Sequence, residues 1–284
     1  MGGGLMVDST GFVFKFVFGL TIQEFCLIPM TDHNILSCNI NGLYGPHKRT
    51  GFLDFLRRRK IDIVLVQESH LKEEDVHRCN NKFYEVVSHS SSDTKTKGVL
   101  ILVRRTLNIT ILDKGCDTDG RITHIKTIVE NRNIVFISVY APCTPDPTFF
   151  SVLSTYLLKF SDFEIVLGAD TNSVMLHILD RSGPKESHSQ AFCSDKLRQC
   201  VTSASLVDSW RLINPSAKSF TFFSATHKSY SRIDYIFIST SLSSAVRDAD
   251  ICSLSLSDHD GNLCRLSLIP RPFHATRWRF TPKL

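Results

Sequence analysis

The sequence predicts an α/β fold in which two packed sheets are flanked by helices. Three observations carry this. Short β-branched, apolar runs outnumber amphipathic ones. The helical segments fall between groups of strands. The chain has 284 residues, 42% of them hydrophobic, enough for one large core. No internal repeat or composition shift divides the chain, so one domain is expected over residues 33–270.

Residues 1–32 are read as an irregular leader outside that domain. GFVFKFVFGLTI is apolar but interrupted by Lys15, and Asp8 precedes it instead of a basic cluster. It lacks the charged start of a signal peptide and falls short of the ~20 apolar residues of a membrane span. HNILSCNI then reads as a strand. Pro46 opens a helix whose Phe52, Leu53, Phe55 and Leu56 share one face, and whose end is FLRRRK. IDIVLVQES is a buried strand and SHSSSDTKTKG a polar loop. GVLILV, NITIL, RITHIKTIV and NIVFISVYAP are strands. Pro142, Pro145 and Pro147 break the chain before the helix TFFSVLSTYLLKF. EIVLG is a strand and DRSGPKESHSQ a loop. AFCSDKLRQCVTSASLVDSW is expected to be helical throughout. SFTFFS, RIDYIFIS, AVRDADICSLSLS and LCRLSLI complete the strands.

Net charge is +5, and Arg271, Arg277, Arg279 and Lys283 of the basic tail, residues 271–284, account for most of it. The body is nearly neutral, so composition permits a nucleic-acid partner without demanding one. Nine scattered cysteines without a CxxC pair point to reduced thiols and away from a zinc site. No Gly-rich loop with Lys follows a strand, and neither HExxH nor GxSxG occurs.

Polar residues recur at strand ends: Asn39 and Asn41, Glu68, Tyr140, Asp170 and Asn172, Asp234, then Asp258 and His259. Singly, the Asn and Asp residues are ordinary turn formers. Glu68 closes a buried run, and Asp234 interrupts an apolar one, so both need partners. As a set they suit metal-assisted phosphoester hydrolysis. Carboxylates and amides favour a hard cation such as Mg²⁺, and a His–Asp pair suits an oriented imidazole.

In order, NINGL, QESH, VYAP, GADTN, SRIDYIFIS and SDH resemble the endonuclease/exonuclease/phosphatase superfamily. The likeness is strongest to the endonuclease domain of non-LTR retrotransposons of the long interspersed element type, through ESHL, LDRS, TFFSATHKSYSRIDYI and the tail RWRF. This resemblance implies a DNase I-like, four-layered sandwich of two mainly antiparallel sheets, with Mg²⁺ (or Mn²⁺ in its place) cleaving double-stranded DNA. Glu68 and Asn39 would bind the metal, with Asp258 helping to place it. Asp170 would orient or deprotonate the attacking water. Asn172 and Tyr140 would hold the phosphate. His259, oriented by Asp234, would stabilise charge on it. Asn41, Arg181, Thr221, His227, Lys228, Tyr230 and Arg232 would contact DNA, the last five from a hairpin over residues 220–232. Asp260, where relatives more often carry a small residue, is expected to face solvent. The implied setting is nuclear, or cytoplasmic before import, and not secreted, with no membrane and no obligate protein partner. Two alternatives stand beside this: an exonuclease III-like repair nuclease cutting at abasic sites, and an inactive remnant that only binds.

Overall fold

The computed structural model describes residues 4–7, 13–16, 32–183 and 187–269. The chain divides into two compact units, residues 1–31 with 269–284, and Asp32–Leu268. In the first unit, β1 (Gly4–Val7) and β2 (Val13–Phe16) form an antiparallel hairpin where the sequence suggests an irregular leader. The rest of that leader, apart from Asp32, and the basic tail lie outside the described residues.

The larger unit begins with β3 (Asp32–Asn39), α1 (Pro46–Arg58) and β4 (Ile63–Gln67). There follow β5 (Tyr84–Ser90), β6 (Val99–Arg104), β7 (Thr110–Cys116), β8 (Ile122–Val129) and β9 (Arg132–Tyr140). Next come α2 (Pro147–Leu157), β10 (Glu164–Asp170), α3 (His177–Asp180) and α4 (His188–Ser203). β11 (Leu206–Asp208), α5 (Ser209–Ile213), β12 (Phe222–Ser224) and β13 (Ser229–Ser231) lead to β14 (Asp234–Ser239), β15 (Val246–Cys252) and β16 (Gly261–Ser267).

Among the described residues, two six-stranded sheets run in the orders β15-β16-β3-β4-β6-β5 and β11-β14-β10-β9-β8-β7. Each is antiparallel except for one parallel pair, β3 with β4 and β9 with β10. The alternation of side chains builds the layers. In β4, Ile63 and Leu65 enter the core between the sheets, while Val64 and Val66 face the cluster that includes Phe52, Leu53 and Leu56 of α1. In β10, Val166 points between the sheets, and Ile165, Leu167 and Ala169 meet residues of α2 and α4. A strand buried on both faces reads as an unbroken apolar run, as IVLV and EIVLG do. The result is the expected four-layered sandwich.

Four elements differ from the sequence reading. Tyr84–Ser90 is a strand, although its mixed pattern hides it and its last residues look like loop. The long helix ends at Ser203; Leu206–Asp208 instead pairs with β14, and Asp208 caps α5 through the Trp210 and Arg211 amides. The SLSLS run leaves the sheet after Cys252, with Leu254 and Leu256 in the cluster under α1 instead of in a ladder. Only Phe222–Ser224 of SFTFFS is strand, paired with Ser229–Ser231 in a small hairpin.

The two sheets converge at one end, and Gly168 makes this approach feasible. A Cβ there would lie 2.6 Å from Ser37 Oγ and 2.8 Å from Leu65 Cβ. Beside it the buried Gln67 donates to Ser138 Oγ (3.0 Å) and the Gly168 carbonyl (3.3 Å), stitching the sheets together.

Candidate functional site

Strand register places the polar residues in rows. Asn39 and Gln67 are partners across the parallel pair of one sheet. In the other, Tyr140, Asp170 and Asp234 are successive partners across β9, β10 and β14. Because the sheets converge there, Asn39 Nδ2 donates across the seam to Asp170 Oδ2 at 2.9 Å. Asp170 Oδ1 accepts from the Asn172 amide at 3.0 Å, and the Asn172 side chain donates to the Ala141 carbonyl.

His259 completes the row from a loop. Its Nδ1 meets Asp234 Oδ2 at 2.9 Å, and Ser257 Oγ accepts from its amide while donating to the Asn39 carbonyl. The neighbouring Asp258 is exposed and accepts from Asn41 Nδ2 at 3.0 Å. Glu68 sits one residue beyond β4. Its Oε2 lies 3.3 Å from His70 Nε2, and the polar groups of Tyr140 and Asn39 are near enough to favour its charge. Its carboxylate is the stronger acceptor for the Tyr140 proton, which leaves the Cys143 thiol, 3.0 Å away, to donate to the Tyr140 oxygen. Tyr140 is therefore turned against Glu68. Four rim residues hold the left-handed backbone: Asn41, Glu68, His70 and Asn172, with φ of 49°, 50°, 54° and 47°. Glu rarely adopts it, and such strain clusters at functional sites.

The electrostatics are unbalanced. Burial pushes the Asp170 carboxyl up to about 7, Asp234 adds to the rise, and His259 and the Asn39 and Asn172 hydrogen bonds only partly oppose it. Burial alone would lower His259, but Asp234, Asp170 and Asp258 outweigh it and raise the imidazolium to about 10. Burial would also raise Glu68; the hydrogen bonds from His70, Tyr140 and Asn39 prevail and hold it below the usual range. The carboxyl groups of Glu68, Asp170, Asp234 and Asp258 outnumber the basic groups there, His259 and Lys48, whose amine donates to the Asn41 carbonyl at 2.7 Å. Among the described residues, the buried Asp234 Oδ1 has no hydrogen-bond partner.

The hairpin separates the residues assigned to DNA. His227 and Lys228 are exposed at its tip, and Tyr230 is 49% exposed on its outer face. Arg181 pairs with Ser231 at its side and lines a cleft of about 180 Å³ with Asn172, Phe222 and His227. Asn41 is exposed at the rim. Two assignments are corrected. Arg232 is fully buried and ion-paired with Asp180 (2.9 Å) and Asp208 (2.7 Å), so it cannot reach a phosphate. Thr221 is buried too, its hydroxyl accepting from the Ile233 and Asp234 amides. Asp260 is half-buried, and its amide donates to the Thr221 carbonyl at 2.8 Å.

The profile of the endonuclease/exonuclease/phosphatase family matches residues 34–259, a span that contains every residue of this rim. The chain belongs to that family. It is 31% identical over 256 residues to an uncharacterized 149 kDa protein of transposon TX1 from Xenopus laevis, covering 88% of this chain but 19% of that protein. It is 25% identical over 246 residues to an exodeoxyribonuclease of Bacillus subtilis, covering 79% of this chain and 96% of the relative. Its fold is similar to that of an AP endonuclease from Leishmania major, with a TM-score of 0.72 at 17% identity over 89% of this chain and 92% of that one.

For a member of this family, the donor set fits a divalent ion. Carboxyl oxygens of Glu68 and Asp258 lie at the rim near the buried Asn39, whose Oδ1 accepts from the Asn41 amide at 3.0 Å, and the excess of carboxyl groups suits a cation. Asp170, Asp234 and His259 also lie close enough to share an ion. There His259 Nδ1 meets Asp234 Oδ2 at 2.9 Å. Sequence reading missed Gln67, Cys143, Phe222, Asp180 and Asp208. A charged residue inside LDRS and a glutamine closing IVLVQ were available signals; the contact of Phe222 with His259 had none.

Proposed function

We propose that this protein is a Mg²⁺-dependent endonuclease that nicks double-stranded DNA. The observation that supports it best is the seam itself: a buried Asp170 of raised pKa, flanked by an Asp234–His259 pair on one side and Glu68 with Asn39 on the other. Glu68 and Asn39, aided by Asp258, would hold the ion, and Tyr140 would fix Glu68 in place. An ion held by these residues would supply Lewis-acid charge stabilisation to phosphodiester cleavage. Asp170 accepts the proton of the attacking water, its affinity for that proton tuned by burial. The His259 imidazolium, its ring held by Asp234, faces the charge that builds on the phosphate. Asn172, whose side-chain amide donates to the Ala141 carbonyl and to Cys143 Sγ, would border the same group. His227, Lys228 and Arg181 bind the DNA backbone and Tyr230 meets the groove, setting position more than sequence. A duplex substrate makes the nucleus the place of work.

Nicking of supercoiled plasmid by the full chain, with Mg²⁺ and with chelator, tests this. Metal-dependent conversion to open circles is expected, and its absence would contradict the proposal. A second reading, a repair nuclease acting at abasic sites, is favoured by the near-complete overlap with the exodeoxyribonuclease. Cleavage of abasic duplex orders of magnitude faster than intact duplex would decide for it.

A further inference from the structure

The root of the hairpin grips both members of the Asp234–His259 pair. Thr221 Oγ accepts from the Asp234 amide at 3.3 Å, and the Thr221 carbonyl accepts from the Asp260 amide at 2.8 Å. A backbone bridge pairs Phe222 with His259. The two rings lie 4.6 Å apart between centroids at 34°. Alternation along the hairpin sends Phe223 and Tyr230, partners in register, to its other, exposed face. Phe222 is thus the hairpin aromatic turned toward the site.

One hydrogen bond does not fix an imidazole. The ring can still turn about its Nδ1–Oδ2 contact with Asp234, which would swing Nε2 away from a substrate. A flat aromatic face against the ring removes that freedom and favours the charged form. Phe222 also borders the cleft that Asn172, Arg181 and His227 line, so whatever seats in that cleft presses on the residue that holds His259.

We infer that Phe222 is a positioning residue that locks the plane of the His259 ring and transmits the seating of the hairpin to it. This rests on the reading of His259 as the group facing the phosphate. Its consequence is that hairpin engagement acts on turnover more than on binding.

The test compares the full chain with Phe222→Leu and Phe222→Tyr, using Mg²⁺-dependent plasmid nicking and the side-chain NMR resonances of His259, assigned by their loss in His259→Ala. A stacked ring shifts those resonances upfield, so they report position without needing activity. Phe222→Leu is expected to lose the upfield shift and at least about tenfold in kcat. Its KM should stay within about twofold of the parent. Phe222→Tyr, which keeps the ring, should restore both. Thermal melts identify variants that are folded; should Phe222→Leu melt early, Phe222→Met replaces it. Unchanged resonances in folded Phe222→Leu would overturn the inference, whatever happens to the rate. So would an upfield shift lost without change in kcat. A parent chain that shows the shift but never nicks DNA would instead contradict the proposed function while supporting the positioning.

Discussion

Arg232 and Asp234, two residues apart in the chain, belong to two buried charged clusters that differ in balance. Around Arg232, the carboxylates of Asp180 and Asp208 meet the guanidiniums of Arg211 and Arg232, two against two. Arg232 also lies over the rings of Trp210 and Tyr235, at 4.9 and 4.5 Å. Around Asp234, carboxyl groups exceed cations, and burial makes Asp170 resist ionisation. A charge-balanced, ion-paired cluster needs no further ion to neutralise it, and it fixes the base of the hairpin. A cluster with more carboxyl groups than basic ones has room for a cation. Buried charge alone does not mark a functional site; its imbalance does.

The comparison predicts that the two clusters fail in opposite ways. Asp170→Asn should lower nicking by about a hundredfold to ten-thousandfold, as loss of a general base does. The same change should stabilise the fold. The folded pKa of Asp170, about 7, lies above the usual carboxylate value, so its contribution to stability is present at acid pH and is lost as pH rises through about 7. The gain in Tm for Asp170→Asn should therefore be larger at pH 8 than at pH 4. Equal gains at both would break the argument. In the parent enzyme the rate should climb with pH through about 7 as Asp170 loses its proton, and hold until His259 deprotonates near 10.

Arg232→Met should do the reverse. It leaves Asp208 without its ion-pair partner and Asp180 with Arg211 alone, and should cost about 3–5 kcal/mol in urea unfolding. A variant of normal stability but reduced DNA affinity would restore Arg232 to the DNA-contacting set. A smaller loss, about 1–3 kcal/mol, is expected for Thr221→Val, which leaves the Ile233 and Asp234 amides without their acceptor. Asp260→Ser keeps the amide that Thr221 uses. Its rate should stay within about twofold of the parent, since a partly exposed side chain away from the reacting groups changes little.

Most of the fold was legible because strands buried on both faces write themselves as apolar runs. β5 was not, since Tyr84–Ser90 mixes buried and half-buried positions without a clean period. SLSLS mimics a strand because leucines seated under a helix can alternate as they do in a sheet. Of the site, Asn39, Glu68, Asp170, Asp234 and His259 were readable as polar residues at strand ends. Arg232 and Thr221 were not, because sequence does not tell which way a residue in a short hairpin turns. The partner that buries Arg232, Asp180, lies 52 residues away. LDRS marks Asp180 as a charged residue, but no local pattern names Arg232 as its partner.

The charge imbalance itself can be measured through divalent-ion dependence of stability. Thermal unfolding of the full chain and of Glu68→Ala would be followed as Mg²⁺ is titrated, beside Ca²⁺-free, chelated controls. If the rim is an unfinished cation site, the parent should gain Tm with Mg²⁺ as binding to the native state requires, and Glu68→Ala should gain none. Equal Mg²⁺ responses in the two proteins, or none in the parent, would contradict it.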